Sequence, residues 1–158
     1  MNEQMSLADL LAENISGPKV NTPRSMIEDA CNWIAPDYGK PNCKFFHLLN
    51  LCERAANRGE PNIRRGDLYR IAQEDGLSIS VCQEFRFDNN IWSPLSRYLL
   101  MFRPKLAAVI HPRENSIDKS GISLVDVWHE IVNPRTFFPV ETWREAVTAY
   151  EEGCVCAR

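Results

Sequence analysis

The sequence predicts a mainly α-helical fold: a single compact domain over residues 1–158, with seven to nine helices and at most a small pair of strands. Two observations lead to this prediction. Apolar residues recur at intervals of three and four along most apolar segments, which is the spacing of one helical face. Ser, Thr or Asp precedes many of these segments, Pro stands at several starts and Gly follows several ends, as expected at helix termini.

The predicted helices are placed in chain order by these caps and by the apolar spacing. Residues 43–57, CKFFHLLNLCERAAN, show the clearest pattern and predict a helix at the centre of the core. The helix over residues 23–35 is expected to bury Trp33. The predicted N-caps are Ser6, Thr22, Asp67 and Thr142, with Pro139 as the other start considered for the last helix, and the predicted C-caps are Gly59 and Gly76. The helices are predicted over residues 6–14, 23–35, 43–57, 68–75, 78–86, 93–102, 122–132 and 140–152.

The remaining segments are predicted as a turn, a loop and a tail. Residues 87–90 form a predicted turn, after which Ser93-Pro94 starts a helix. Residues 103–112, RPKLAAVIHP, fit either a helix or a strand because the apolar run is short. Residues 111–121, HPRENSIDKSG, are predicted as an exposed loop because they are polar and contain proline. Residues 153–158 are predicted as a disordered tail.

Composition predicts a soluble, cytoplasmic protein without a membrane partner. The chain has 158 residues, of which 44% are hydrophobic and 25% charged, as in an ordinary globular domain with a core of its own. Its start, MNEQMSLADLLAEN, lacks the basic segment and apolar run of a signal peptide, and no window approaches the roughly 18 apolar residues of a membrane span. In the cytoplasm the six cysteines are expected to be reduced thiols.

The stretch from Arg70 to Phe85, RIAQEDGLSISVCQEF, predicts a helix, a glycine turn and a second helix. Ala72 is followed four residues later by Gly76, and apolar residues occupy the positions that pack such a pair: Ile71, Leu77, Cys82 and Phe85. Over these residues the chain resembles the helix-turn-helix motif of bacterial repressors. Two residues depart from the motif, since Asp75 stands where it usually has an apolar residue and phosphates would repel Glu84.

The resemblance implies a second helix that contacts DNA between Ser78 and Arg86. Such a protein needs cations for the phosphates and Arg, Asn or Gln side chains for the base edges. In this hypothesis Gln83 and Arg86 contact bases, and the phosphates are held by Arg64, Arg65 and Arg70. A structural interpretation stays open beside it, because the same caps and glycine suit an ordinary helix pair in an all-helical core.

A second candidate region, residues 85–105, combines basic and aromatic residues. Arg, Trp and Tyr are enriched at the centres of protein interfaces, and the same mixture suits single-stranded nucleic acid, whose bases stack on aromatic rings. The predicted partner-binding residues are Arg86, Trp92, Arg97, Arg103 and Lys105. Two interpretations stay open: an exposed patch, or aromatic residues that mostly serve the core. The net charge of −3 favours a protein partner over nucleic acid.

Motifs that carry catalytic, metal or cofactor chemistry are missing at full strength. Cys43, His47 and Cys52 lack the close cysteine pairs of structural zinc sites. His129-Glu130 lacks the second histidine of the zinc protease helix because Asn133 stands in its place. No P-loop, G-x-S-x-G or G-x-G-x-x-G is present. Neither a cofactor nor a metal is predicted, and an enzyme of an unrecognised class stays open as an alternative.

The leading hypothesis from the sequence is a small non-enzymatic regulator or inhibitor that docks onto a protein or a protein–nucleic acid complex. Two observations lead to this hypothesis: catalytic motifs are absent, and residues 85–105 have the composition of a protein interface. A helix-turn-helix transcriptional regulator is the alternative.

Overall fold

The computed structural model describes residues 21–153 of the chain. These residues form eight α-helices and three short 3₁₀ segments without a strand, which confirms the predicted mainly α-helical fold. The α-helices are α1 Pro23–Ile34, α2 Lys44–Asn57, α3 Leu68–Glu74, α4 Ile79–Glu84, α5 Asn89–Phe102, α6 Ser116–Lys119, α7 Leu124–Ile131 and α8 Trp143–Glu151. The 3₁₀ segments are Ala35–Asp37, Arg65–Asp67 and Pro104–Ala108. The predicted helix over residues 6–14 and the tail after residue 153 lie outside the described residues.

Helices α1 and α2 have the termini that their sequences predict. Thr22 Oγ1 accepts a hydrogen bond from the N–H of Ser25 at 3.0 Å, and Ser25 Oγ accepts one from the N–H of Thr22 at 2.9 Å. Gly59 follows α2 with a φ of +90°, a conformation that other residues rarely adopt. Trp33 is only partly buried, because its ring lies at the edge of the core, where it meets Phe87 edge-on at 5.3 Å.

One predicted helix start is confirmed and another is wrong. Helix α3 begins at Leu68, directly after Asp67, as predicted, but the Asp67 side chain makes no capping hydrogen bond to it. A 3₁₀ turn precedes the helix, and the carboxylate instead accepts a hydrogen bond from the N–H of Arg64 at 3.1 Å. Pro94 does not start α5, which begins within the predicted turn of residues 87–90. Asp88 is the N-cap, and its Oδ1 accepts a hydrogen bond from the N–H of Ile91 at 3.2 Å. Pro94 lies inside the helix and removes one backbone donor there.

The segment between α5 and α7 contains more helix than its sequence predicts. Residues 103–112, which fit either helix or strand, take a 3₁₀ conformation over Pro104–Ala108. Residues 111–121, predicted as an exposed loop, include the one-turn helix α6, although most of their polar side chains are exposed or partly exposed. Ile117 of α6 is only 1% exposed. One buried side chain thus attaches an otherwise polar segment to the core, and periodicity cannot detect a single residue.

The core is built around α5, which packs against α1, α8 and the 3₁₀ segment Pro104–Ala108. Helix α1 also packs on α7, whose Trp128 is fully buried. The indole N–H of Trp128 donates to Thr136 Oγ1 at 2.8 Å, so the polar atom of this buried ring is satisfied. The Trp128 ring centroid lies 5.0 to 5.4 Å from those of Tyr38, Phe45, Tyr98, Phe102 and Phe138. None of the described helices is long and apolar enough to cross a membrane.

Candidate functional site

A cleft of about 390 Å³ brings together side chains from three separate parts of the chain. We call it the arginine cleft, and its lining includes Asn62, Arg64, Trp92, Ser96, His111 and Arg113. No aspartate or glutamate is among the described residues that line it. Two arginines and a tryptophan that line one cleft without a carboxylate favour an anionic ligand.

Hydrogen bonds hold two distant segments side by side along the cleft. The N–H of Ile63 donates to the carbonyl of Val109 at 2.8 Å. Asn62 Oδ1 lies 3.0 Å from His111 Nδ1, and His111 Nε2 lies 3.2 Å from the carbonyl oxygen of Ala108. Both ring nitrogens of His111 therefore contact the protein itself, and the two arginines are the groups that face a ligand.

Trp92 forms the aromatic side of the cleft, and its ring is held by packing. Phe87 stacks on Trp92 with a centroid distance of 6.2 Å and an interplanar angle of 22°. Arg65, predicted to hold phosphates, instead supports this segment: its Nε donates to Asn89 Oδ1 at 2.8 Å and its Nη1 donates to the Phe87 carbonyl at 3.2 Å. The partly exposed indole is thus a preorganised contact surface.

Arg97, predicted as a partner-binding surface residue, is buried with 2% exposure, so that prediction of a surface position is wrong. Its guanidinium donates to both carboxylate oxygens of Asp118, at 2.9 and 2.7 Å. It also donates to the carbonyl oxygens of Ser93 and Arg113, at 2.7 and 2.9 Å. A cation is stable inside the fold here because these acceptors replace water. Arg97 acts on the cleft indirectly, because its hydrogen bond to the Arg113 carbonyl holds the backbone of Arg113 near α5.

The positive charge of the arginine cleft is left uncompensated by the described residues. Arg64 and Arg113 are exposed, and neither forms an ion pair within the described part of the chain. Glu114, next to Arg113 in sequence, pairs with Arg144 at 3.0 Å. Most other described arginines pair with carboxylates, namely Arg24, Arg54, Arg58, Arg70, Arg97, Arg103 and Arg144.

A second cavity of about 410 Å³ adjoins the arginine cleft, since Ile110, His111 and Pro112 line both. Trp143 and Val147 of α8 line its other side. The surface is therefore cationic on one side of Pro112 and mixed on the other, where apolar side chains lie beside Tyr150 and Glu151. Such a combined surface suits a segment of a macromolecule with an acidic group followed by an apolar one.

The other predicted partner-binding residues lie in two separate places. Arg103 and Lys105 both lie near one carboxylate oxygen, Glu53 Oε2, at 3.1 and 3.8 Å, so their charge is partly balanced. Arg86 is exposed, and its guanidinium lies over the ring of Tyr69 at 4.2 Å. Of the residues predicted from the sequence, Arg64 and Trp92 are those that the structure brings together in the cleft.

The predicted helix-turn-helix is present as α3 and α4, joined through Gly76 with a φ of +79°. Ala72 is buried, and its carbonyl accepts a hydrogen bond from the N–H of Leu77 at 3.2 Å. Helix α4 has six residues, and its N-cap Ser78 accepts a hydrogen bond from the N–H of Val81 at 3.3 Å. The side chain of Gln83, predicted to contact bases, is exposed together with that of Arg86.

Several charges of this helix pair are satisfied within the fold. Arg70, predicted to hold phosphates, lies 2.9 Å from Glu74 and 3.6 Å from Glu60. Glu84, which phosphates would repel, lies 2.7 Å from His47 Nδ1 of α2. These pairs reduce both the attraction and the repulsion that the segment would exert on DNA.

Asp75 departs from the helix-turn-helix pattern because it faces α2. Burial opposes its ionisation, but hydrogen bonds and charges from Arg54 and Arg58 hold the pKa of Asp75 below its usual value. The carboxylate thus links α3 to α2 at a position where the motif usually has an apolar contact.

The described cysteines are buried free thiols: Cys31, Cys43, Cys52 and Cys82. Burial raises the pKa of Cys31 to about 11 and that of Cys52 to about 12, so these two stay protonated and unreactive at neutral pH. Within residues 21–153, no group of three or more His, Cys, Asp or Glu side chains could hold a metal ion.

Comparisons with protein-family models, with curated proteins and with solved structures found no match. Sequence reasoning missed Asn62, His111 and Arg113 as cleft residues. The sequence does show Arg113 in the polar stretch of residues 111–121. It does not show that Arg113 shares a cleft with residues 62–64, because those residues are distant in sequence.

Proposed function

We propose that the chain is a small non-enzymatic binding protein, a regulator or inhibitor, that docks onto a protein partner through the arginine cleft and the adjoining cavity. The observation that carries the proposal is that two exposed arginines, Arg64 and Arg113, line one cleft with Trp92 and form no ion pair with the described residues. Arg and Trp are the residue types that most often dominate the binding energy of protein interfaces.

Contacts that hold the cleft residues in place before binding lower the entropic cost of docking. Trp92 is stacked on Phe87, and Arg97 fixes the backbone at Arg113, so these parts are ordered before a partner arrives. Hydrogen bonds from a guanidinium to an anion are stronger than those between neutral groups. The cavity beside Trp143 adds apolar area to bury.

The proposal is tested by capturing partners from a native extract of the source cells with the full chain and matched variants. Trp92→Ala and the double substitution Arg64→Gln/Arg113→Gln are each expected to reduce capture of the same partner by about tenfold or more, since both remove anchors at the centre of the site. Arg135→Gln, at an exposed arginine outside the cleft that forms no ion pair with described residues, is the control and should retain full capture.

Folding of each variant is checked by its thermal midpoint, because a partner lost through unfolding would say nothing about the cleft. A chain that stays solitary in the extract would contradict the proposal. Equal capture by the wild type and the folded double variant would contradict it as well.

A second candidate function, DNA binding through α3 and α4, is supported by one observation: Gln83 on α4 and Arg86, two residues after the end of α4, are both exposed. Duplex binding, measured by fluorescence anisotropy on mixed-sequence DNA, should then weaken steeply as salt rises, because counterions are released. Arg86→Gln should reduce this binding and Arg135→Gln should not. If no duplex binds at about 50 mM salt, this candidate is removed.

A further inference from the structure

We infer that the arginine cleft recognises a phosphorylated side chain of a protein partner, with Arg64 and Arg113 as the phosphate-binding residues. The inference rests on the proposed docking function and names the group that is docked. The cleft has a net positive charge: two arginines line it, no carboxylate lines it, and neither arginine forms an ion pair among the described residues.

The charge of the ligand distinguishes a phosphoryl group from a carboxylate. A phosphorylated side chain carries about −1.5 to −2 charges at neutral pH and offers three acceptor oxygens, whereas Asp or Glu carries a single charge. Two arginines without an ion pair to described residues therefore match the charge of a phosphate monoester. A single carboxylate can contact two arginines, as Asp75 does, but it neutralises only one of their two charges. The planar fork of each guanidinium also suits two parallel hydrogen bonds to phosphate oxygens.

The surroundings of the cleft distinguish a peptide from nucleic acid. A phosphodiester carries one charge per phosphate, and the chain as a whole has a net charge of −3, which opposes a polyanion. Beyond His111 and Pro112 the surface continues into the cavity lined by Trp143 and Val147. An apolar side chain that follows a phosphorylated residue would be buried there, as in other peptide-recognition sites that combine an arginine cluster with a pocket.

The test uses the ¹⁵N-labelled full chain, titrated with phosphoserine blocked at both termini and with glutamate blocked in the same way. The indole N–H of Trp92 and the backbone N–H of Arg64 are followed by NMR at constant ionic strength. Blocked phosphoserine is expected to bind at least about tenfold more tightly than blocked glutamate, because the second charge engages the second arginine.

Substitutions locate the binding. Arg64→Gln/Arg113→Gln should weaken phosphoserine binding by about tenfold or more, and Arg135→Gln should leave it unchanged. Equal binding of glutamate and phosphoserine would overturn the inference, and so would an equal loss in the Arg135→Gln control. Tighter binding of a single-stranded oligonucleotide, lost in the double variant, would assign the cleft to nucleic acid and overturn it too.

The two failures are distinguishable. If the double variant loses a captured partner but phosphoserine does not bind, docking stands and the phosphoryl inference fails. If phosphoserine binds at the two arginines but no partner is captured, the docking function fails.

Discussion

Replacing Arg97 with methionine is expected to lower the free energy of unfolding by about 3 to 5 kcal/mol. The substitution keeps an apolar side chain of similar length but leaves the carboxylate of Asp118 with no cation, in a site where its side chain is only 11% exposed. The carbonyl oxygens of Ser93 and Arg113 each lose a donor as well. Urea unfolding followed by circular dichroism measures the loss.

The matched control is Arg144→Met. Arg144 pairs with Glu114 at 3.0 Å, but both side chains are about half exposed, so this substitution should cost less than about 1 kcal/mol. Equal costs for the two variants would show that the buried pair contributes no more than a surface pair.

The pH dependence of the same variant gives an independent check. Burial opposes ionisation of Asp118, but hydrogen bonds from Arg97, from the N–H of Asn115 and from Trp143, together with the charge of Arg97, lower the pKa of Asp118 to about 2. Its pKa in the unfolded chain is about 3.9, so the stabilisation is complete above about pH 4 and is lost as pH falls toward 2. The difference in stability between wild type and Arg97→Met should therefore narrow over that interval.

Replacing Trp128 with alanine is expected to cost about 3 to 5 kcal/mol, through the apolar area lost and the cavity left behind. Trp128 is fully buried among five aromatic rings, and its indole N–H is bonded to Thr136. Phe137→Ala is the control: Phe137 lies nearby in sequence but is 81% exposed, so its loss should stay within about 0.5 kcal/mol. Denaturant midpoints of the two variants measure the contrast, and similar midpoints would refute a central role for Trp128.

Helix positions were predictable where local chemistry decides them. Thr22 and Gly59 mark helix ends because hydrogen bonds and backbone conformations there involve near neighbours only. Pro94 misled because an earlier cap, Asp88, moved the start of α5 upstream, whereas Asp67 precedes α3 as predicted and only its side chain serves the preceding 3₁₀ turn. A helix can accept a proline in its early turns when its buried face extends further back, and that face becomes visible only with tertiary packing.

The candidate site was much less predictable than the fold. Arg97 and Arg64 are the same residue type, yet one is buried and the other exposed. The difference arises from Asp118, which meets Arg97 only after α6 has packed on α1. Arg113 reaches the cleft through the hydrogen bond between Ile63 and Val109, a contact between segments that no local pattern connects.

The walls of the cleft come from segments that are distant in sequence, and this couples ligand binding to folding. Residues 62–64 and 109–113 meet only in the folded chain, so a ligand specific for the assembled cleft has no binding site in the unfolded state. Such a ligand adds about 2.7 kcal/mol to stability when its free concentration is about a hundred times its Kd. That gain approaches the loss expected for Trp128→Ala, at a site outside the cleft, so the abundance of such a variant would rise and fall with the supply of its partner.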